Sequence, residues 1–182
     1  MGIETGIVYR IDDQDVITYV NEEWDRFANA NNGRSLMSHR VLNRSLWEFI
    51  QDAPTRGLYR QVLKRIRDGR CVRFHLRCDA PGVRRVLAMD IVGSENGGAQ
   101  FHSRILSAEP RTPVAVPGTG TDSKELLRVC GWCNKVFIGG HWEEIEDAVE
   151  KLQLLQRSIV PALSHGICDP CYVAVKETLT DH

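Results

Sequence analysis

Apolar and polar positions alternate with a period of two in two short runs near the start of the chain, 6–12 (GIVYRID) and 15–21 (DVITYVN). The turn-forming DDQD between them predicts a β-hairpin. The period then changes to that of a helix. Asn21 can cap the exposed amides of EEWDRFANA, Glu22 and Glu23 sit in the first turn where the helix dipole favours anions, and Trp24, Phe27 and Ala28 share one face. A longer helix is predicted over 55–69 (TRGLYRQVLKRIRDG), closed by Gly69. Its buried stripe is either Leu58, Val62 and Ile66 or Tyr59, Val62, Leu63 and Ile66. Three strand-like runs follow at 71–79, 83–93 and 98–106, with APG and SENGG as turns. The first alternates strictly. Val72, Phe74, Leu76 and Cys78 fall on one face, and Cys71, Arg73, His75 and Arg77 on the other.

The pattern breaks at 107–124 (SAEPRTPVAVPGTGTDSK), where three prolines and two glycines lie among small polar residues and favour extended backbone over a core element. The expected division is therefore a first domain over 1–107, a linker over 108–123 and a second unit over 124–182. In that second unit a knuckle, a helix and another knuckle are predicted. The helix carries Trp142, Ile145, Val149, Leu152 and Ile159 near one face and Glu143, Glu146, Asp147 and Glu150 on its polar side.

The knuckles hold the clearest chemistry. Cys130 and Cys133 (CGWC) and Cys168 and Cys171 (CDPC) form two Cys-x-x-Cys pairs that enclose 34 residues. Zinc takes four soft or borderline donors in a tetrahedron, and each pair presents two thiolates from one tight turn, so the four cysteines predict a closed structural zinc site. His165 could replace one of them, or act by orienting a ligand or by packing. A redox dithiol is the alternative, but a thioredoxin-like pair needs a strand-to-helix βαβ setting that the pattern lacks. HWE at 141–143 ahead of CDPC also resembles the His-x-Glu and Pro-Cys-x-x-Cys of zinc deaminases. Ile167 stands where that pattern needs proline, and the deaminase reading leaves CGWC unused. No enzyme activity is expected. Cys71 and Cys78 cannot bridge along one strand, because seven steps of about 3.3 Å separate them by roughly 23 Å.

The order of two strands, short helices, one longer helix and three strands, together with YVNEEW, SLWEFI and the late hairpin, resembles the PAS domain family over residues 5–107. The tail, with CGWCNK, a tryptophan, IE and SHGICDPC, resembles a carboxy-terminal extension of some bacterial PAS-containing signalling proteins. The fold class expected is α+β, a PAS-like five-stranded antiparallel sheet with flanking helices plus a small zinc-stabilised helical module. The resemblance implies a sensor or protein-interaction domain with a small cavity under its helices. Trp47, Tyr59, Phe74 and Met89 could line that cavity, although the same residues also read as plain core. Haem is disfavoured, since haem-binding relatives present a histidine from the long helix and 55–69 has none. Photoactive flavin is disfavoured because NRSLWEFI lacks the reactive cysteine. Any other small ligand is left open.

Composition and charge add the setting. The 182 residues are 42% hydrophobic and 26% charged, with a net charge of -1. Residues 1–107 hold 16 Lys/Arg against 13 Asp/Glu, and residues 108–182 hold 7 against 11. An acidic tail argues against a zinc unit that grips phosphates by itself. Residues 56–85 carry ten Lys/Arg and two acids, so the face of Arg73, His75 and Arg77 could meet a protein partner, a second copy, or the acidic tail of the same chain. Nucleic acid on this Arg-rich face, in a transcription regulator, is the second reading. No apolar run approaches the roughly 20 residues of a membrane span, and MGIETGIVYR lacks the features of a secretory signal. Gly6 breaks the myristoylation pattern. A cytoplasmic bacterial signalling protein with no membrane attachment is expected.

Overall fold

The structure is a computed structural model that describes residues 6–31, 33–50, 52–79, 82–110, 126–153 and 162–180. Strands β1 (Ile7–Ile11) and β2 (Ile17–Val20) form the expected hairpin. The Asp12 carboxylate folds the turn, accepting from the backbone N–H groups of Gln14 and Val16. Helix α1 (Glu22–Ala30) starts where the sequence places its cap: the Asn21 side chain accepts from the Trp24 N–H at 3.2 Å, and also from the Val8 N–H at 3.1 Å. A short α2 (Ser38–Val41) follows.

Helix α3 (Ala53–Arg67) begins slightly earlier than the periodic stretch suggested, because Asp52 caps it and a proline occupies its first turn. Its buried stripe merges the two alternatives: Leu58, Val62, Leu63 and Ile66 are all inaccessible, and Tyr59 packs beside them partly buried.

Strands β3 (Val72–Arg77), β4 (Val83–Gly93) and β5 (Ala99–Pro110) complete an antiparallel sheet in the order β2-β1-β5-β4-β3. This five-stranded antiparallel sheet with flanking helices is the α+β arrangement expected for the first domain. Tyr9, Ile11, Phe74, Ile91 and Phe101 meet the α3 stripe from the sheet, with the Tyr9 and Phe101 rings stacked at 4.3 Å. Strand β5 continues to Pro110, pairing with Val83. Residues 111–123 of the expected linker, and 124 and 125 after it, lie outside the described residues.

The second unit differs from the helical module expected. It contains a four-stranded mixed sheet of β6 (Leu126–Cys130), β7 (Val136–Ile138), β8 (His141–Glu143) and β9 (Ala162–Gly166), in the order β8-β7-β6-β9. Trp142 belongs to β8 and not to the helix. Gly139 and Gly140 both adopt positive φ, the turn geometry that joins two period-two runs into a hairpin, and the Phe137 and Trp142 rings pair across it at 5.2 Å. Helix α4 is consequently confined to Ile145–Lys151, with Ala148 and Val149 packed on Leu127, Val129 and Val136. Ile159 lies outside the described residues. Helix α5 (Asp169–Thr180) then crosses to the first domain, where Val175 and Leu179 enter the main core.

Candidate metal centre

The parallel pairing of β6 with β9 sets Cys130 opposite Gly166, so the two strands deliver their knuckles to the same end of the sheet. The first knuckle is the turn from β6 to β7. It closes through hydrogen bonds from Cys130 N–H to the Lys135 carbonyl and from Asn134 N–H to the Cys130 carbonyl. Asn134 takes the left-handed conformation such a turn requires, which asparagine tolerates. The second knuckle runs from the end of β9 into the first turn of α5, which contains Cys171.

The Sγ atoms of Cys130, Cys133, Cys168 and Cys171 all lie within 4.8 Å of one another, and none is in a disulfide. Cys133 and Cys168 approach to 3.7 Å. Cys130 and Cys168 are buried and the other two half-buried, as in a site closed to solvent rather than one open to substrate. Four sulfurs this close share protons. Cys130 ionises first, because the thiols of Cys133 and Cys171 donate to it and the backbone N–H groups of Cys168 and Trp132 add to their effect. Donation to that thiolate pushes Cys133 up to about 12 and raises Cys171 further. A divalent ion bound by these residues would replace the shared protons and let all four sulfurs act as thiolates. The Cys168 N–H, 3.4 Å from the Cys130 sulfur, would temper the negative charge of such a site. The Lys135 ammonium lies instead 3.7 Å from Glu144. His165 occupies the β9 position opposite Val129, and its side chain lies outside what is described.

The cluster sits at the seam between the two units. Trp132, inside the first knuckle, is 7% exposed and reaches into the first domain, where its ring lies 5.9 Å from both Tyr59 and Phe74. Its carbonyl accepts from the Arg77 N–H of edge strand β3. Around this wedge the charge asymmetry of the sequence becomes local: Arg77 meets Glu144 at 3.1 Å and Arg84 meets Glu146 at 3.4 Å. At the far end, the Arg65 guanidinium donates to the Leu179 carbonyl.

The four candidate cavity residues separate. Trp47 donates through Nε1 to Asp15 at 2.8 Å and carries Arg60 over its ring. Phe74 is 6% exposed and packed on Trp132. Met89 borders a cavity of about 280 Å³ with Tyr9, Trp24, Phe27 and Leu87. Tyr59 borders two others. One, of about 290 Å³, lies under the helices with Tyr9, Trp24, Leu46, Phe49 and Ile50. The other, of about 190 Å³, lies at the seam. Burial raises the Tyr9 hydroxyl well above its ordinary value and pushes Tyr59 to about 12, so both stay neutral hydrogen-bonding groups.

The candidate interaction face also divides. Arg73 and His75 are exposed, and Arg73 pairs with Asp90, which Arg104 also reaches at 3.3 Å. The Arg77 side chain is only 16% exposed, held by Asp79 and Glu144. Sequence reasoning missed Asp52 and Trp132. The signal for Trp132 was a large aromatic residue placed between the two cysteines of a Cys-x-x-Cys pair, a turn too small to bury it alone.

No family model and no curated protein matches the chain. Solved structures similar to it include a domain of an HTR-like protein from Haloarcula marismortui ATCC 43049, with a TM-score of 0.40 and 12% identity over 56% of this chain and 97% of that one. A sensory box sensor histidine kinase from Vibrio cholerae gives a TM-score of 0.40 and 12% identity over 57% of this chain and 83% of that one. The PAS domain from Bordetella pertussis BvgS gives 0.38 and 12% over 56% and 72%. Among the described residues no helix is long and apolar enough to cross a membrane.

Proposed function

We propose that the protein is a cytoplasmic bacterial signalling protein, in which a PAS-type sensor or interaction domain is coupled to a structural zinc centre. It has no catalysis of its own and passes its signal by contact with a protein partner or a second copy. Cys130, Cys133, Cys168 and Cys171 hold the zinc. The observation that carries this reading is the insertion of Trp132, from between two of those cysteines, against Tyr59 and Phe74. A change in the sheet domain's cavity at Tyr59 is thereby one ring away from the metal knuckle, and the reverse also holds.

Protein contact is favoured over nucleic acid by the engagement of the basic stretch. Arg56 donates to the carbonyls of Trp47 and Ile50, Arg67 to Asp15, Arg73 to Asp90, Arg77 and Arg84 to the glutamates of the tail, and Arg85 to the Cys78 carbonyl. Cations already paired inside the chain release fewer counterions from a phosphate backbone. Native mass spectrometry of protein made in its own host reads metal, ligand and oligomer together. One zinc per chain in a complex with a partner protein or a second copy is expected. Metal-free chains that instead travel with nucleic acid would overturn the proposal.

A further inference from the structure

We propose that the cavity at the seam is a binding site for a small organic ammonium compound, formed jointly by the sheet domain and the four-cysteine unit. The cavity, of about 190 Å³, has room on the order of six water molecules at their liquid volume. Tyr59 and Trp132 form a corner, their ring planes at 63°. Phe49, Ile50 and Leu76 supply apolar wall, and Asp52 supplies a carboxylate. Aromatic faces beside one carboxylate are the surroundings in which alkylated ammonium groups are held, by cation–π attraction and charge together.

Three further observations favour a cation. The Oδ2 atom of Asp52 caps α3 through the Thr55 N–H and hydroxyl, while Oδ1 has no hydrogen-bond partner among the described residues. That oxygen lies 3.5 Å from where a Gly166 Cβ would stand, a spot that the Arg128 methylenes also line. The α3 terminus brings roughly half a positive charge, which the full carboxylate charge outweighs. The guanidinium groups nearby are engaged elsewhere: Arg56 caps the carbonyls of Ile50 and Trp47, and Arg128, whose stem passes Gly166, carries its guanidinium over the rings of Phe137 and Trp142. Finally, the second ring of this corner is an indole and not a phenyl group. Tryptophan offers the stronger cation–π face.

The site deepens the sensor reading, on which it rests, by naming the class of its ligand. Calorimetric titration of the full chain with choline chloride, and with its uncharged carbon isostere 3,3-dimethylbutan-1-ol at matched chloride, tests it. Choline is expected to bind saturably and the alcohol about tenfold or more weaker. Asp52→Asn keeps the helix capped, since asparagine caps as well as aspartate, and is expected to lose about tenfold in choline affinity with an unchanged melt. Trp132→Phe keeps a ring in the corner and is expected to weaken choline while leaving the alcohol unaffected. Equal affinity for the two probes, no saturable choline binding, or an Asp52→Asn variant that binds choline as the parent does would overturn the proposal. Zinc content is read on the same samples. Zinc without choline binding removes the ligand proposal alone, and choline binding without zinc removes the metal centre alone.

Discussion

The backbone N–H of Arg77 donates to the carbonyl of Trp132, joining the edge strand of the first sheet to a turn between two cysteines of the second unit. Three residues before Arg77 on the same strand, Phe74 packs on the Trp132 ring. An unpaired strand edge is thus covered by the four-cysteine knuckle, and one tryptophan supplies both the hydrogen bond and the hydrophobic wedge.

Removing the wedge should be felt in both units. Trp132→Ala leaves a cavity among Tyr59, Phe74 and Leu76 and should cost about 3 to 5 kcal/mol, as large aromatic truncations in cores do. Phe74→Ala on the opposite side should cost about as much. Thermal or urea melts that find either change neutral would mean that the seam is not packed in solution.

The ion pair across the seam should behave differently from the one on the open face. Arg77 and Glu144 are in contact and partly shielded, so a double-mutant cycle of Arg77→Ala and Glu144→Ala should give a coupling of about 0.5 kcal/mol or more. Arg73 is 69% exposed, and its replacement by alanine should change stability by within about 0.5 kcal/mol. Additive effects at Arg77 and Glu144 would contradict the docking of basic sheet edge on acidic tail.

Much of this was legible in the sequence where the signal is local. Asn21 caps α1, the Val72 and Phe74 parity is the buried one, and the spacing of two Cys-x-x-Cys pairs anticipates the sulfur cluster. What was not legible is long-range. Periodicity says which side of β3 is buried but not that Trp132 is what buries Phe74. Trp47, Tyr59, Phe74 and Met89 share a hydrophobic character and yet point to different surroundings. The second sheet was hidden because β7 and β8 are three residues each, too short to establish a period, and because β6 pairs in parallel with a distant β9. The split of Arg77 from Arg73 and His75 has the same origin, since alternation places all three on one face and only the docked tail separates them.

Purified under reducing, chelator-free conditions, the protein should carry about one zinc per chain by elemental analysis. Cys168→Ser, at a buried ligand position, should abolish stoichiometric zinc and leave the tail poorly folded. Because Val175 and Leu179 share the main core, the sheet domain should survive with a lowered melting midpoint. Full zinc content in the variant would contradict the four-thiolate assignment.

Acid should weaken the contact between α1 and α2. The Asp25 carboxyl is held below its ordinary value chiefly by the Ser38 hydroxyl at 2.6 Å and then by the Ser38 N–H at 2.7 Å. A folded-state value below the unfolded one, about 3.9, contributes stability above the unfolded value that is lost as pH falls through the folded one. Melts of the parent and of Asp25→Asn should therefore differ at pH near 6 and converge as pH falls below about 4. A difference that stays constant down to strongly acid pH would remove Asp25 from this role.

The central claim is that the four-cysteine centre and the sheet domain are coupled through Trp132, and hydrogen exchange with and without a zinc chelator tests it most directly. Chelation should speed exchange in the tail and also at the Arg77 amide and its β3 neighbours, because the carbonyl that protects Arg77 belongs to the metal knuckle. Faster exchange confined to residues 126–180, with β3 unchanged, would contradict the coupling.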